Sequence, residues 1–297
     1  MWKQLYDDAA NGSVKALARC ITLLEQTYPG YDDFLETLHE KDIPVIGITG
    51  PPGAGKSTIT DALLAEIVAQ NYKVAVLCID PSSPFNLGAL LGDRIRMSRW
   101  YNDEKVYIRS LASRGSLGGL HPRIIEIVSL LKSLSFDYVL IETVGVGQSE
   151  IEIAALADVT LVAIVPEAGD EVQTMKAGLM EIADIFVVNK SDREGADRFV
   201  KNLRMMLAPA FYTKKHEIPV IKTVATTGEG IPLLFNKINE VLRQKEQVEL
   251  RPNLLAEKAW QLIASEKMKG ITRNDLKEMI ASQEGFNLYR FVKKFRS

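Results

Sequence analysis

Short apolar runs alternate with segments of helical periodicity between residues 43 and 245. Several runs are continuously apolar, as at residues 160–165. Such runs indicate strands buried on both faces, and therefore an α/β fold with a mostly parallel sheet that helices cover on both faces. The pattern predicts strands at 44–49, 73–79, 105–109, 138–142, 158–165, 184–189 and 219–224. It predicts helices at 56–70, 121–134, 171–182, 194–207 and 230–244.

The first 41 residues have helical periodicity and no strand-like run. They predict an N-terminal helical arm, with one helix that begins after an N-cap at Ser13 and a short helix over 32–40. The arm packs on the main domain, either only to cover the core or to bind a partner.

The last part of the chain, residues 251–297, is also purely helical in pattern. Thr272 and Asp275 have the spacing of a capping box ahead of one of its helices. This C-terminal extension either covers the core or forms a dimer surface. The dimer is favoured, because the α/β domain predicted for 42–250 is complete without it.

Composition agrees with a soluble protein. Hydrophobic residues make up 46% of the 297 positions, and the formal net charge is −2, so no global charge favours nucleic acid or a membrane surface. The chain has 2 cysteines, no apolar run of membrane-spanning length, and a mixed, acidic start unlike a signal peptide. We therefore expect a cytoplasmic protein that binds neither nucleic acid nor a membrane.

A phosphate-binding loop follows the first strand and precedes the first long helix. The glycines of such a loop let backbone N–H groups surround an anion, and the helix start adds its positive dipole end. The lysine reaches the β- and γ-phosphates, and the serine that follows holds Mg²⁺. The loop residues are Gly50, Pro51, Pro52, Gly53, Ala54, Gly55, Lys56, Ser57 and Thr58.

Two further apolar strands end in an acid. Asp80 ends one of them and could bind Mg²⁺ or a water molecule. For this residue alone, a simple turn aspartate would be the better interpretation. Glu142 ends the other and is predicted to hold Mg²⁺ through water or to position the attacking water. It is longer than the commoner aspartate, which makes direct metal contact less certain. Gly145 follows, and its N–H can meet the γ-phosphate.

The polar segment 85–99 contains a second candidate Mg²⁺ ligand, Asp93. Its glycines allow it to order around a γ-phosphate. The arginines Arg94, Arg96 and Arg99 can steady phosphate charge, but a solvated surface is the better expectation for at least two of them.

The string Asn189-Lys190-Ser191-Asp192 follows the sixth predicted strand. The Asp192 carboxylate can accept from the N1–H and the exocyclic amine of guanine, a donor pair that adenine lacks. Asn189 contacts the base edge or ties loops together, and the Lys190 stem covers the ring. The N–H of Ala225 is a weaker candidate for a contact with guanine O6. GTP is therefore preferred over ATP.

Together these motifs resemble the methylmalonyl-CoA mutase-associated GTPases of the MeaB/ArgK type, a metallochaperone branch of the P-loop GTPases. The string Glu142-Thr143-Val144-Gly145-Val146-Gly147-Gln148 is specific rather than a generic G-protein pattern. The stretches that carry the resemblance are Gly50–Thr58, Asp80–Phe85, Leu91–Arg94, Arg114–Gly119, Glu142–Glu150, Ala168–Gln173 and Asn189–Asp192.

The resemblance implies a homodimer that binds a B12-dependent acyl-CoA mutase. It implies that GTP gates delivery of adenosylcobalamin to that mutase and protects or reactivates it. By the same resemblance, Asn189 and Asp192 read guanine, and Gln173 and Lys176 belong to a further switch that contacts the mutase. The Mg²⁺ and catalytic shell comprises Lys56, Ser57, Asp80, Asp93 and Glu142.

Two other activities remain as alternatives. A nickel-inserting GTPase of the same branch needs clustered Cys or His, which the sequence lacks. A P-loop kinase would transfer the phosphoryl group to a protein or a small molecule. The guanine-reading string and the Glu142 string favour hydrolysis with switching over transfer.

Overall fold

The computed structural model describes residues 1–80, 97–113, 120–143, 149–168, 180, 182–207, 218–246, 250–282, 286–293 and 295. Within them a 7-stranded parallel sheet forms in the order β3-β2-β4-β1-β5-β6-β7. All the predicted strands are present, with ends that differ by at most three residues, and β4 has the predicted bounds. Their bounds are β1 Val45–Thr49, β2 Val74–Asp80, β3 Val106–Ala112, β4 Tyr138–Glu142, β5 Val159–Ile164, β6 Ile185–Val188 and β7 Val220–Lys222.

The predicted helices of this domain are confirmed wherever the structure describes them. Predicted helix 171–182 falls almost wholly outside the described residues. The helices around the sheet are α4 Lys56–Ala69, α5 Ile124–Ser133, α6 Ser149–Leu156, α7 Ala196–Leu207 and α8 Ile231–Glu246. Short 3₁₀ turns lie at Ser98–Trp100 and Pro166–Ala168.

Helix α6 was not predicted from the sequence. Its apolar residues are spread around the helix, so no period marks it. It packs closely on β1 because Gly47 has no side chain there: a Cβ on Gly47 would lie 2.5 Å from Ile153 Cγ1 and 3.0 Å from Ala157 Cβ.

Three helices precede the sheet: α1 Trp2–Ala10, α2 Val14–Glu25 and α3 Tyr31–Glu36. The Ser13 side chain caps α2, as predicted, by accepting from Ala16 N at 3.3 Å. Helix α1 is an addition to the prediction. It is tied to α3 by Trp2, whose ring stacks on Phe34 at 4.6 Å between centroids.

The core has a layer on each face of the sheet, as continuously apolar strands require. On one face, Val45 and Ile141 pack with helices α1, α2, α3 and α5. On the other face, Ile48 and Leu140 pack with α4 and α8. Because the N-terminal helices share the first of these layers, they are part of the same packed unit as the sheet.

The chain divides into two compact units, Met1–Arg251 and Pro252–Ser297. The C-terminal helices are α9 Leu250–Lys267, α10 Arg273–Ala281 and α11 Leu288–Lys293. The capping box predicted at the start of α10 is present, with Thr272 Oγ1 accepting from Asp275 N and Asp275 Oδ2 accepting from Thr272 N. The functional division at residues 41 and 251 stays a prediction.

No helix in the described part of the chain combines the length and the apolar character that crossing a membrane requires.

Candidate functional site

The phosphate-binding loop lies where the central strand β1 meets α4, at the carboxyl edge of the sheet. Ligands of open α/β sheets bind at this edge. Two glycines are required by their surroundings: Gly50 has φ +135° and a Cβ there would lie 2.1 Å from Ala163 O, and Gly55 has φ +86° with a Cβ 2.3 Å from Asn189 Nδ2. The loop therefore depends on glycine both for backbone conformation and for close packing.

Lys56 is the first residue of α4 and is only 8% exposed. Its Nζ donates to Gly50 O at 3.0 Å and to Pro51 O at 3.2 Å. The Lys56 ammonium is therefore fixed by two carbonyl groups at the start of the phosphate-binding loop. A cation in that position, beside the N–H groups of a helix start, attracts a phosphate.

Ser57 and Glu142 are in direct contact. The Ser57 hydroxyl donates to Glu142 Oε1 at 2.6 Å, and the hydroxyl of Thr60 lies 3.0 Å from Glu142 Oε2. Glu142 is 4% exposed and Thr60 is fully buried. Both carboxylate oxygens of Glu142 therefore face hydroxyl groups of α4, which favours action through Ser57 over direct coordination of a metal ion.

Asp80 ends β2 and is 6% exposed. Cys78 of β2 is paired with Glu142 of β4, and Asp80 lies two residues farther along β2, toward the carboxyl edge of the sheet. The Ser57 hydroxyl and the Asp80 carboxylate supply oxygen donors, which is the chemistry that Mg²⁺ prefers, and Glu142 supports the Ser57 hydroxyl. The residues around the loop therefore fit Mg²⁺, with phosphate oxygens and water as its remaining ligands.

Asn189 joins three segments of the site. Its side-chain Nδ2 donates to Ala54 O in the phosphate loop at 3.0 Å. Its Oδ1 accepts from Thr223 Oγ1 at 3.2 Å and from Ala225 N at 3.1 Å. Asn189 is 3% exposed, so of its two predicted roles the structure provides the tie between loops. The Ala225 N–H is engaged in that tie, and its contact with guanine O6 stays a prediction.

The two residues that follow complete this edge of the site. Lys190 has a positive φ of 55°, and its Nζ donates to Gly53 O at 2.9 Å. Its stem therefore spans from the end of β6 to the phosphate loop. Asp192 is exposed, and its carboxylate is accessible for the predicted contact with a base.

The remaining loop residues occupy the expected turn. Ala54 is fully buried, Pro52 and Gly53 are exposed, and Pro51 and Thr58 are half-buried. Other candidates lie outside the described residues, namely Asp93, Gly145, Gln173, Lys176, Arg94 and Arg96.

Arg99 does lie within the described part of the chain, and it pairs with the phosphate-loop helix. Its guanidinium donates to both carboxylate oxygens of Asp61 on α4, at 3.1 and 2.7 Å. Trp100 Nε1 donates to Asp61 Oδ1 at 2.7 Å. Arg99 is 55% exposed, which agrees with the surface role expected for at least two of the three arginines.

Thr60 is the functional candidate that sequence reasoning missed. The signal available was a hydroxyl residue three positions after Ser57, on the same face of α4, at a position that the helix buries. That signal gives no indication of Glu142, which lies 82 residues away along the chain.

Comparison with protein families gives one match over most of the chain. A family model described as methylmalonyl-CoA mutase-associated GTPase MeaB matches residues 17–284.

Relatives come from archaea, bacteria and animals. A predicted GTPase of Pyrococcus horikoshii is 45% identical over 244 residues, which is 80% of this chain and 76% of the relative. The GTPase ArgK of Escherichia coli is 40% identical over 187 residues, 61% of this chain and 56% of that protein. The mitochondrial methylmalonic aciduria type A homolog of Mus musculus is 32% identical over 267 residues, 81% of this chain and 63% of that one.

Among solved structures, one described as an LAO/AO transport system kinase has a TM-score of 0.67 with this chain. It is 23% identical and the match covers 99% of this chain and 96% of that one. At this identity the likeness supports the fold.

Proposed function

The chain belongs to the MeaB family of methylmalonyl-CoA mutase-associated GTPases, and we propose that this GTPase is a chaperone that gates delivery of adenosylcobalamin to a B12-dependent acyl-CoA mutase. Methylmalonyl-CoA mutase is the leading candidate for the partner, because the family description and the mouse relative both point to methylmalonyl metabolism. In this role the protein also protects the mutase. Both proteins are proposed to act in the cytoplasm.

The observation that carries the nucleotide part of the proposal is the hydrogen bond between Asn189 Nδ2 and Ala54 O at 3.0 Å. It brings the guanine-reading string against the phosphate loop, so that one ligand can contact both. A base at Asp192 and phosphates at Gly50–Ser57 then belong to one nucleotide.

In this proposal each residue has a defined part in hydrolysis. Lys56 and the loop N–H groups bind the β- and γ-phosphates and balance the charge of the transition state. Ser57, held by Glu142, and the carboxylates Asp80 and Asp93 bind Mg²⁺. Mg²⁺, when bound, neutralises charge on the two terminal phosphates. Gly145 contacts the γ-phosphate, so its segment responds to hydrolysis.

The switch that meets the mutase is proposed to include Gln173 and Lys176. Their segment follows the turn Pro166–Ala168 at the end of β5, the strand next to β1.

We also propose that the protein is a homodimer through its C-terminal unit. That unit exposes large apolar side chains, among them Trp260 at 71%, Ile263 at 55% and Tyr289 at 80%. Apolar surface of this kind is a common mark of protein interfaces.

The test is GTP hydrolysis and complex formation with a purified B12-dependent acyl-CoA mutase. We expect slow hydrolysis by the protein alone, a several-fold rise with methylmalonyl-CoA mutase, and a complex whose stability differs between GDP and a non-hydrolysable GTP analogue. The variant Ser57→Ala should need a higher Mg²⁺ concentration for half-maximal hydrolysis, because it lacks one of the proposed Mg²⁺ ligands.

Other outcomes would contradict the proposal. Turnover that ignores the mutase, with no complex in any nucleotide state, would remove the mutase as partner. Transfer of radiolabelled phosphate from GTP to a protein would support the kinase alternative, and stimulation by nickel with transfer of the metal would support nickel insertion.

A further inference from the structure

We propose that Thr60 is a positioning residue for the GTPase reaction, because it fixes Glu142 so that Glu142 can orient the Ser57 hydroxyl. The inference rests on the proposed role of Ser57 and Glu142 in Mg²⁺ binding. Thr60 lies outside the phosphate-loop motif, and its contact explains how Glu142 can occupy a position where an aspartate is commoner.

The arrangement brings two elements together. Ser57 and Thr60 are three residues apart near the start of α4, so their side chains lie on one face. Glu142 ends β4, where strand register pairs it with Ile48 of β1. The two hydroxyl groups meet the two carboxylate oxygens, with Ser57 Oγ 2.6 Å from Oε1 and Thr60 Oγ1 3.0 Å from Oε2.

Thr60 is itself rigidly placed. Its Oγ1 lies 2.9 Å from Lys56 O, the carbonyl one helical turn earlier, and the residue is fully buried. A helical threonine has two accessible χ1 rotamers, and the bond to the Lys56 carbonyl selects one of them. The hydroxyl proton is shared between the Lys56 carbonyl and Glu142 Oε2, because a threonine has only one proton to donate.

A glutamate needs this second contact more than an aspartate does. Its extra methylene adds a torsion, and ordering that torsion costs side-chain entropy. Glu142 is 4% exposed, so little water is available to replace a lost contact. With Oε2 held by Thr60, Oε1 stays aimed at Ser57. The Ser57 proton then points to Glu142, and the lone pairs of the Ser57 oxygen would be available to hold Mg²⁺.

The experiment compares Thr60→Val, which keeps the shape and removes the hydroxyl, with Thr60→Ser, which keeps the hydroxyl. We expect Thr60→Val to raise the Mg²⁺ concentration for half-maximal GTP hydrolysis roughly tenfold, the size expected for a lost hydrogen bond to a charged group. Thr60→Ser should stay within about threefold of the native protein by the same measure. Thr60→Ala serves in place of Thr60→Val if the valine variant does not fold.

A second readout does not depend on hydrolysis. GDP affinity measured in EDTA should change less than about twofold in Thr60→Val, since the loop N–H groups and Lys56 bind phosphate without the Glu142 contact. GDP affinity in saturating Mg²⁺ should fall. A variant that has simply lost structure would lose affinity under both conditions.

A double-mutant cycle with Glu142→Asp tests the link between the two residues. The shorter acid cannot contact both hydroxyl groups, so Thr60→Val should change the Mg²⁺ requirement of Glu142→Asp by less than about twofold. Full additivity, an unchanged Mg²⁺ requirement in Thr60→Val, or a serine variant as impaired as the valine variant would each overturn the inference.

Ser57→Ala separates this inference from the proposal beneath it. If Ser57→Ala leaves the Mg²⁺ requirement unchanged, the proposed role of Ser57 is wrong and the Thr60 inference fails with it. If Ser57→Ala changes the requirement and Thr60→Val does not, only the Thr60 inference fails.

Discussion

At the scale of single residues, the Lys56 side chain is held in place by carbonyl groups of the phosphate-binding loop. Its ammonium bonds to Gly50 O and Pro51 O, which fixes the charge beside the loop N–H groups. We expect Lys56→Ala to lower kcat/KM for GTP by at least about 100-fold, since a preorganised group at a developing charge has an effect of that size. Phosphate release measures the change, with exposed Lys269→Ala as control. Native turnover in Lys56→Ala would contradict the site.

The preference for guanine over other bases is predicted to depend on the exposed carboxylate of Asp192. Asp192→Asn replaces one of the two carboxylate acceptors with an NH2 donor, so one of the two guanine donors, the N1–H or the amine, loses its partner. The new NH2 group can instead donate to the 2-oxo group of xanthine. We expect GTP to bind about 100-fold more weakly and xanthosine triphosphate to become preferred, because an unpaired polar group in a binding site is costly. Competition binding checks this, with Asp197→Asn as a control at an exposed acid five residues later. An unchanged order of nucleotides would exclude Asp192 as the base reader.

At the scale of elements, the contact between β1 and α6 depends on one glycine. A Cβ at Gly47 would lie 2.5 Å from Ile153 Cγ1, so Gly47→Ala must displace the helix or the side chain. We expect a loss of about 1–3 kcal/mol in the free energy of unfolding, the usual cost of overpacking. Urea denaturation measures it.

Ile153→Ala provides the matched relief of that contact. In the double variant Gly47→Ala/Ile153→Ala the closest overlap is removed and only the 3.0 Å contact with Ala157 Cβ remains, so the two losses should be less than additive. Additive losses would show that the cost of Gly47→Ala arises elsewhere.

The strands were predictable from the sequence because burial on both faces makes them continuously apolar. Helices α1 and α6 were not, since α1 has only 9 residues and no side-chain cap at its start, and α6 has no amphipathic period. A short element that gains its stability from packing leaves little trace in its own sequence.

The candidate site was predictable to a similar degree. The phosphate loop and Asn189–Asp192 can be recognised in the sequence, because each is a short motif of neighbouring residues. The contacts of Asn189 with Ala54, and of Thr60 with Glu142, join residues 135 and 82 positions apart. Only the fold brings these pairs together, so sequence spacing gives no indication of them.

At the scale of the whole molecule, the proposed dimer makes a prediction about α9. Trp260 and Ile263 are three residues apart, so they share one exposed face of that helix. We expect Trp260→Glu combined with Ile263→Glu to convert a dimer to a monomer in sedimentation velocity, because two like charges in an apolar interface have no partner that compensates them. Glu266→Gln, at an exposed polar position of the same helix, is the control. A monomeric native protein would contradict the proposed homodimer.

The central claim is that hydrolysis of GTP by this chain controls delivery of adenosylcobalamin to a mutase. The most direct measurement is the rate and extent of cofactor loading into the apo-mutase, followed by cobalamin absorbance, with the native protein and GTP, with a non-hydrolysable GTP analogue, and with Lys56→Ala and GTP. We predict that loading in the presence of the protein proceeds with GTP and is blocked in the other two cases. Loading that is the same in all three, and the same as without the protein, would contradict the account.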